Sequence, residues 1–513
     1  MFNTVVIVTT FSCVERFLGF LYRIFLSRTL GAEGLGLYQI SLSVLGLFMT
    51  VTSSGIPITV SRLMIKHKQE KKSQRAAATV SAGILTAIAT SIPLTLLAFS
   101  KSGILNALFS DERCIPIFAI MVPGLIFTSV YAVIRGTFWA NQQFLTYSII
   151  EFLEESVMLI AGIILVNCAV DITKGVHMAG YAVLISYLFS FTVSIAVFFI
   201  RGGKLSLPFG EFSPLIKSSA PITAMRTSTS FINTLVAVIL PARLVYYGIT
   251  SSDAVALFGK VFGMAFPLIF MPSTLIGSIA LVLTPKISEN YYSRQFYTLK
   301  SNAEKSLKFS CLIACIIIPV FLCLGQEIGS FIYSDSSVGV YVAKGAVIML
   351  PLSISIISTS LLNSLNKERQ TLLSFFAGAS VMIICIYFLP PILGIDCLIL
   401  GMLLNYTVTA IINVLMLYKQ IPAKLNVIKY FALSALSVVP SAIFGLLLKN
   451  VLAKRLGTFL IIAVCSASVV LFTALVMLLL GLLTFIFEAT EPHIREKSKL
   501  KAFKKRNSFN NWN

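Results

Sequence analysis

Six basic side chains stand inside runs that are otherwise soluble in hydrocarbon: Arg16, Arg23, Arg135, Arg226, Arg243 and Lys260. An ionised side chain at mid-bilayer costs at least ~2.5–3.5 kcal/mol, so such residues face a bundle interior or a watered cavity rather than lipid. The chemistry they offer there is anion capture. Guanidinium forks bind phosphate oxygens bidentately, and an ammonium adds a point charge. Arg16 and Arg23 lie two helical turns apart and share a face with Gly19 and Phe20. Arg16, Arg23, Arg226, Arg243 and Lys260 are therefore expected to line a substrate cavity. Glu15, Glu154, Arg135, Pro57 and Pro285 are the expected gate or ion-pair positions. The plainer alternative pairs these bases with Glu15, Glu151, Glu154 and Glu155, or lets those near span ends snorkel to the interface.

The elements that must position these residues are membrane spans. Of 513 residues, 57% are hydrophobic and only 12% charged, with a mean hydropathy of +0.91. A soluble chain of this length carries roughly 25% charge. Apolar runs of about 20 residues, enough to cross a hydrocarbon core ~30 Å thick, recur from end to end. Fourteen such runs are expected, the first near 4–27 and the last near 457–487. None shows the alternation of a transmembrane β-barrel. The chain is thus expected to be an all-α integral membrane protein.

The net charge of +20 is distributed as a topology signal and not as a nucleic-acid footprint. Residues 62–75 hold Arg62, Lys66, Lys68, Lys71, Lys72 and Arg75, and the 286–308 connection and the tail from Arg495 to Arg506 add many more. The alternate connections are poor in bases. The positive-inside rule then places both termini in the cytoplasm, with a secondary attraction to anionic lipid headgroups. Met1-Phe2-Asn3 offers no basic region before the first apolar run, so that run is expected to stay as a span.

The chain also repeats. Pro57 and Pro285 are separated by the same number of residues as Pro123 and Pro351. Ser110-Asp111 and Ser334-Asp335 mark equivalent loops, and Leu37-Tyr38 and Leu257-Phe258 open the second and eighth spans, with Arg23 and Arg243 in register before them. Six spans occur twice, giving pseudo-symmetric lobes over 1–215 and 216–425, two extra spans over 426–490 and a basic tail over 491–513. Parallel repeats of this kind place substrate between halves that rock against each other.

Enzyme signatures are missing. His67, His177 and His493 fall outside the apolar runs and have no metal-site spacing, and no connection is long enough for a catalytic domain. The nine cysteines are scattered, and Cys311 and Cys315, one turn apart, make an incomplete zinc site. No cofactor is expected. The aspartates stand in connections or at span edges, and the bias towards buried bases favours an anionic substrate.

The run Arg16-Phe-Leu-Gly19-Phe-Leu-Tyr22-Arg23 through Leu30-Gly31-Ala-Glu33-Gly34-Leu-Gly36-Leu-Tyr38-Gln39 resembles the opening of the stage V sporulation protein B family, in the polysaccharide-exporter branch of the MATE-like flippase superfamily. Gly55-Ile-Pro57, Leu240-Pro241-Ala-Arg243, Leu257-Phe258-Gly259 and Pro285-Lys-Ile-Ser288-Glu289 resemble later stretches of it. Trp139-Ala140, Thr146 and Met158 depart from its pattern. The resemblance implies a two-lobed bundle around a central cavity, in the cytoplasmic membrane. It also implies translocation of lipid-linked glycan precursors of the polyprenyl-pyrophosphate type, for spore cortex or cell wall, alongside wall-synthesis proteins. Arg23, Arg226, Arg243 and Glu154 match its cavity or gate positions. A cation-coupled multidrug exporter of the same fold and a non-transporting scaffold remain the alternatives.

Overall fold

A computed structural model describes residues 2–99, 108–421, 427–453 and 456–482; the tail over 491–513, with His493, lies outside them. Among the described residues every regular element is helical. In a bilayer this follows from chemistry, because a helix satisfies its own backbone polar groups where no water can.

The chain opens with α1 (Phe2–Ser53), which is two spans. Gly31 adopts φ 69° and ψ −173° and reverses the chain there. The rings of Tyr22 and Tyr38, sixteen residues apart in sequence, meet edge-on at 6.2 Å. A break at Ser54-Gly55 leads into α2 (Ile56–Gln69), so the basic run from Arg62 begins as a helix and not as a loop. His67 accordingly lies in a helix and is buried, contrary to its expected loop position. There follow α3 (Ser73–Phe99), then α4 (Cys114–Met121) and α5 (Gly124–Ala140), which together form one span bent by 41° at Pro123. Next come α6 (Phe144–Asn167), α7 (Ile172–Ile200), which contains His177, and α8 (Phe212–Tyr246).

The eighth span is composite. After α9 (Ser251–Phe258) the helix turns π over Gly259–Ala265, then continues as α10 (Phe266–Phe270) and α11 (Ser273–Tyr292). The second half runs through α12 (Phe296–Tyr333), α13 (Ser336–Gly345), α14 (Met349–Ser364), α15 (Glu368–Phe388), the short α16 (Pro390–Leu393) and α17 (Asp396–Gln420). The last two described spans are α18 (Val427–Leu452) and α19 (Thr458–Leu479).

Eleven described helices, or twelve with the bent pair, are long and apolar enough to cross a membrane. The fold-back at Gly31 and the 24-residue α6, whose only charges are three glutamates, account for the rest of the fourteen expected.

The repeat is visible in the backbone. Lys71 and Arg294, which follow the second and eighth spans, are both left-handed (φ 57° and 56°). So are Gln142 and Asn366 after the fourth and tenth (φ 56° and 59°). Asp111 accepts a hydrogen bond from the amide of Arg113, and Asp335 accepts the equivalent bond from Ser337.

The described residues divide into two compact units: Met1–Pro267 with Ile383–Gly401, and Leu268–Met382 with Met402–Asn513. In the second, α18 and α19 pack on α12. Lys449 Nζ lies 2.7 Å from Glu327 Oε1 and donates to the Cys323 carbonyl at 3.0 Å, while Phe444 stacks on Phe472 at 4.3 Å. Cys311 and Cys315 are buried on α12.

Candidate functional site

Three helices of the first unit bring polar groups to one cavity of about 300 Å³. The first span supplies Glu15, and the returning part of α1 supplies Met49 and Ser53. From α5 come Thr128, Tyr131, Ala132 and Arg135, whose spacing puts them on one helical face. From α6 come Glu151, Glu154 and Glu155, spaced by three and four residues, again one face.

Arg135 is the hinge of this constellation. Its Nη1 donates to Glu151 Oε1 at 2.9 Å, and its guanidinium lies over the rings of Tyr131 and Trp139 at 5.9 and 5.4 Å. Trp139, one of the departures from the family pattern, is thereby the floor of the arginine; Tyr147 meets it edge-on at 5.9 Å. Several polar atoms at the cavity are buried without a hydrogen-bond partner: Glu15 Oε1, Tyr131 Oη, Arg135 Nε and Glu155 Oε2. Unpaired buried polar atoms cost about 1–3 kcal/mol each. These atoms leave hydrogen-bonding capacity at the cavity wall.

The arginines of the first span adjoin this cavity. Arg23 is half-buried within electrostatic reach of Glu155 and Tyr38, while Arg16 is exposed beside Glu15. Pro57 is buried, and its carbonyl lies where a Cβ on Gly136 would stand 2.7 Å away, which ties α2 to α5. The other candidates lie elsewhere. Arg226 is exposed and donates to the Ser54 carbonyl at 3.3 Å. Arg243, about 25 Å further along α8, sits in a tyrosine cage. It donates to the Tyr387 carbonyl at 3.0 Å and the Tyr247 hydroxyl at 2.7 Å, with the Tyr387 ring 4.1 Å from its guanidinium carbon. Lys260 is half-buried in the π segment. The side chain of Pro285 lies outside the described residues.

A seam joins α1 to α8 and α9 within the same unit. At one end a Cβ on Gly259 would stand 2.0 Å from the Ala32 carbonyl oxygen, and one on Gly36 would stand 2.2 Å from that of Val255. Only glycine at both positions lets the backbones meet. Further along, Thr234 donates to the Ser43 carbonyl at 2.9 Å, and Gly55 abuts Ser219 and Thr223. Small residues and hydroxyls are the usual means of close helix approach in membranes.

Polar residues fasten the Gly31 end. Arg113 bonds Glu33 at 2.6 Å and Asp111 at 2.8 Å; Ser251 donates to Asp111 and Ser252 to Glu33, at 2.7 and 2.6 Å. Burial pushes the Asp111 carboxyl up, but the bonds from Arg113 and Ser251 outweigh it and hold the group below its ordinary value of 3.8. A depressed carboxylate contributes stability above its unfolded pKa that is lost as pH falls through the folded value. Wild type is therefore expected to exceed Asp111→Asn in thermal stability at neutral pH, with the gap closing as pH drops below about 4. Melting curves across that range check this.

The sequence signature of the polysaccharide biosynthesis protein family matches residues 3–291. The chain belongs to that family. It is 24% identical over 453 residues to the stage V sporulation protein B of Bacillus subtilis (strain 168), covering 83% of this chain and 85% of that one. Among solved structures it resembles a lipid II flippase MurJ in an inward closed conformation. The TM-score is 0.70 at 17% identity, over 94% of this chain and all of the other. It also resembles an inward-facing multidrug resistance MATE family transporter of the MOP superfamily, with a TM-score of 0.65 at 13% identity, over 79% and 94% of the two chains. The family member described here thus shares the helical fold of these two structures. By their names, the two solved structures are a flippase and a transporter.

The arginine–glutamate pairing was open in the sequence as the alternative to an all-cationic cavity, and Arg135 takes that role. The tyrosine cage, Tyr131 and the Asp111–Arg113–Glu33 cluster were not foreseen. The spacing of Thr128, Tyr131 and Arg135 against Glu151, Glu154 and Glu155 carried the signal for Tyr131, since a polar face on each of two consecutive spans marks a shared interior.

Proposed function

We propose that this chain is a flippase that moves a lipid-linked oligosaccharide or peptidoglycan precursor across the cytoplasmic membrane by alternating access, in spore cortex or cell-wall synthesis. Both termini then face the cytoplasm, and the lobes over 1–215 and 216–425 rock against each other while 426–490 flank the second. The observation that carries this reading is the polar cavity with its incompletely paired arginine and glutamates. In it, Arg23 and Arg135 exchange a glutamate for the incoming pyrophosphate, and the glycan crosses while the lipid tail stays in the bilayer. Arg16, Arg226, Arg243 and Lys260 guide the anion along the seam, whose glycine contacts close one side. Wall-synthesis proteins supply and remove the precursor.

Flipping of a labelled lipid-linked peptidoglycan precursor in proteoliposomes tests this. Arg23→Ala and Arg243→Ala are each expected to lose transport at least tenfold while inserting normally. Normal transport by both variants overturns the assigned roles, and no flipping by folded wild type overturns the substrate. The four glutamates at the cavity favour one second reading, a cation-coupled multidrug exporter; gradient-driven efflux of small cationic drugs without precursor flipping identifies it.

A further inference from the structure

A second cavity, of about 460 Å³, lies in the first unit away from the polar site, at the exits of the second and sixth spans. Its inner wall is apolar, with Met64, Val80, Phe138 and Phe198 all buried. Its mouth carries Lys68, Arg201 and Lys204, and among the described residues no carboxylate lines it. Lys68 donates to Asn141, which holds it over the opening. The first turn of α3, a 27-residue helix starting at Ser73, opens onto the same space and adds the positive end of its dipole.

The turn that follows α7 is fixed for this purpose. Gly202 is left-handed (φ 78°), and a Cβ on Gly203 would stand 2.6 Å from the Phe198 ring. Arg201 and Lys204 flank those glycines, so the tight turn sets both bases at the rim.

The surroundings are those of a lipid headgroup layer. Ile200, Leu207 and Phe209 are 83%, 72% and 81% exposed, interleaved with the two bases in one short connection. Bare apolar side chains beside cations suit the boundary between acyl chains and phosphates. The second unit carries a cavity at its equivalent exits, those of the eighth and twelfth spans, of about 460 Å³ and lined by Tyr291, Tyr292, Arg294, Phe296 and Lys419. The repeat thus conserves a base after the second span of each half and another after the sixth.

We infer that the cavity between Lys68, Arg201 and Lys204 seats an anionic phospholipid of the leaflet beside the basic loops. Its phosphate lies among the three bases and its chains run past Val80, Phe138 and Phe198. The site shares no residue with the polar cavity of the translocation reading and does not depend on it.

Native mass spectrometry of the purified full chain, given phosphatidylglycerol or phosphatidylcholine, tests this inference. Wild type is expected to retain phosphatidylglycerol preferentially, and Arg201→Gln/Lys204→Gln to lose about tenfold of that retention. Lys300→Gln/Lys305→Gln, which removes two bases near the start of α12 in the second unit, serves as the control and is expected to keep it. Equal loss in the control overturns a defined site in favour of diffuse attraction, and undiminished retention in the first variant overturns the assignment. A thermal shift produced by inorganic phosphate alone, equal to that from phosphatidylglycerol, overturns the lipid in favour of a free anion.

Discussion

Gly259→Leu is expected to abolish transport while leaving the chain inserted and folded. The Cβ of that residue would stand 2.0 Å from the Ala32 carbonyl oxygen and 2.9 Å from the Gly36 amide nitrogen, both backbone atoms that cannot swing aside. Overpacking of this kind costs about 1–3 kcal/mol even where neighbours relax. The seam is closed by small residues, so the cost falls on its closed state and not on the fold, and the population shifts to states with this end parted. A cysteine placed at Ser251, whose hydroxyl is bonded to Asp111 when the end is closed, should then react with a membrane-impermeant thiol reagent several-fold faster than in the Gly259 parent. Unchanged reactivity together with unchanged flipping would show that the seam does not open during transport.

Breaking the Arg135–Glu151 pair should have the largest effect on stability. Both side chains are less than a third exposed, within a polar cavity surrounded by apolar helices. Arg135→Ala or Glu151→Ala leaves the other charge uncompensated, a loss of about 3–5 kcal/mol where one member of a buried pair is removed. Removing both charges at once, as Arg135→Met/Glu151→Leu, should recover most of that stability, because apolar replacements of buried pairs are often neutral. Flipping should stay impaired in the double variant, since Arg23 alone is left to take the phosphate. Melting temperature and flipping rate measured on all three variants separate the two roles. Full transport by the stable double variant would refute the part assigned to Arg135.

The fold was legible because the bilayer allows few options. Runs of apolar length, basic connections at alternate turns and prolines at matching positions fix helices, spans and the repeat, and the left-handed pairs Lys71/Arg294 and Gln142/Asn366 show the same repeat in the backbone. The site was legible only in kind. Sequence shows that Arg23 and Arg135 must avoid lipid, but not whether a carboxylate or an anion meets them. That depends on which faces of α1, α5 and α6 converge, and the answer placed Glu15 and Glu154 in the same cavity as Arg135. Arg243 was read by its register with Arg23. What holds it are Tyr246, Tyr247 and Tyr387, the last from a helix nearly 150 residues on, which no local pattern connects. His67 was misplaced because the basic composition of 62–75 reads as a loop, while the helix continues through it to Gln69. There the imidazole meets Glu211 at 2.9 Å.

The π-helical stretch over Gly259–Ala265 sets the eighth span apart from a plain α-helix. An α-helix advances about 100° per residue, and a segment wound with hydrogen bonds to the fifth residue holds surplus chain relative to that winding. Letting the surplus migrate by one step along the span turns every side chain it passes, Lys260 first among them, by a large angle while the helix ends stay where they are. Such a step would re-aim the charge of Lys260 without sliding the span through the bilayer, once the backbone contacts of Gly259 with Ala32 and Gly36 part.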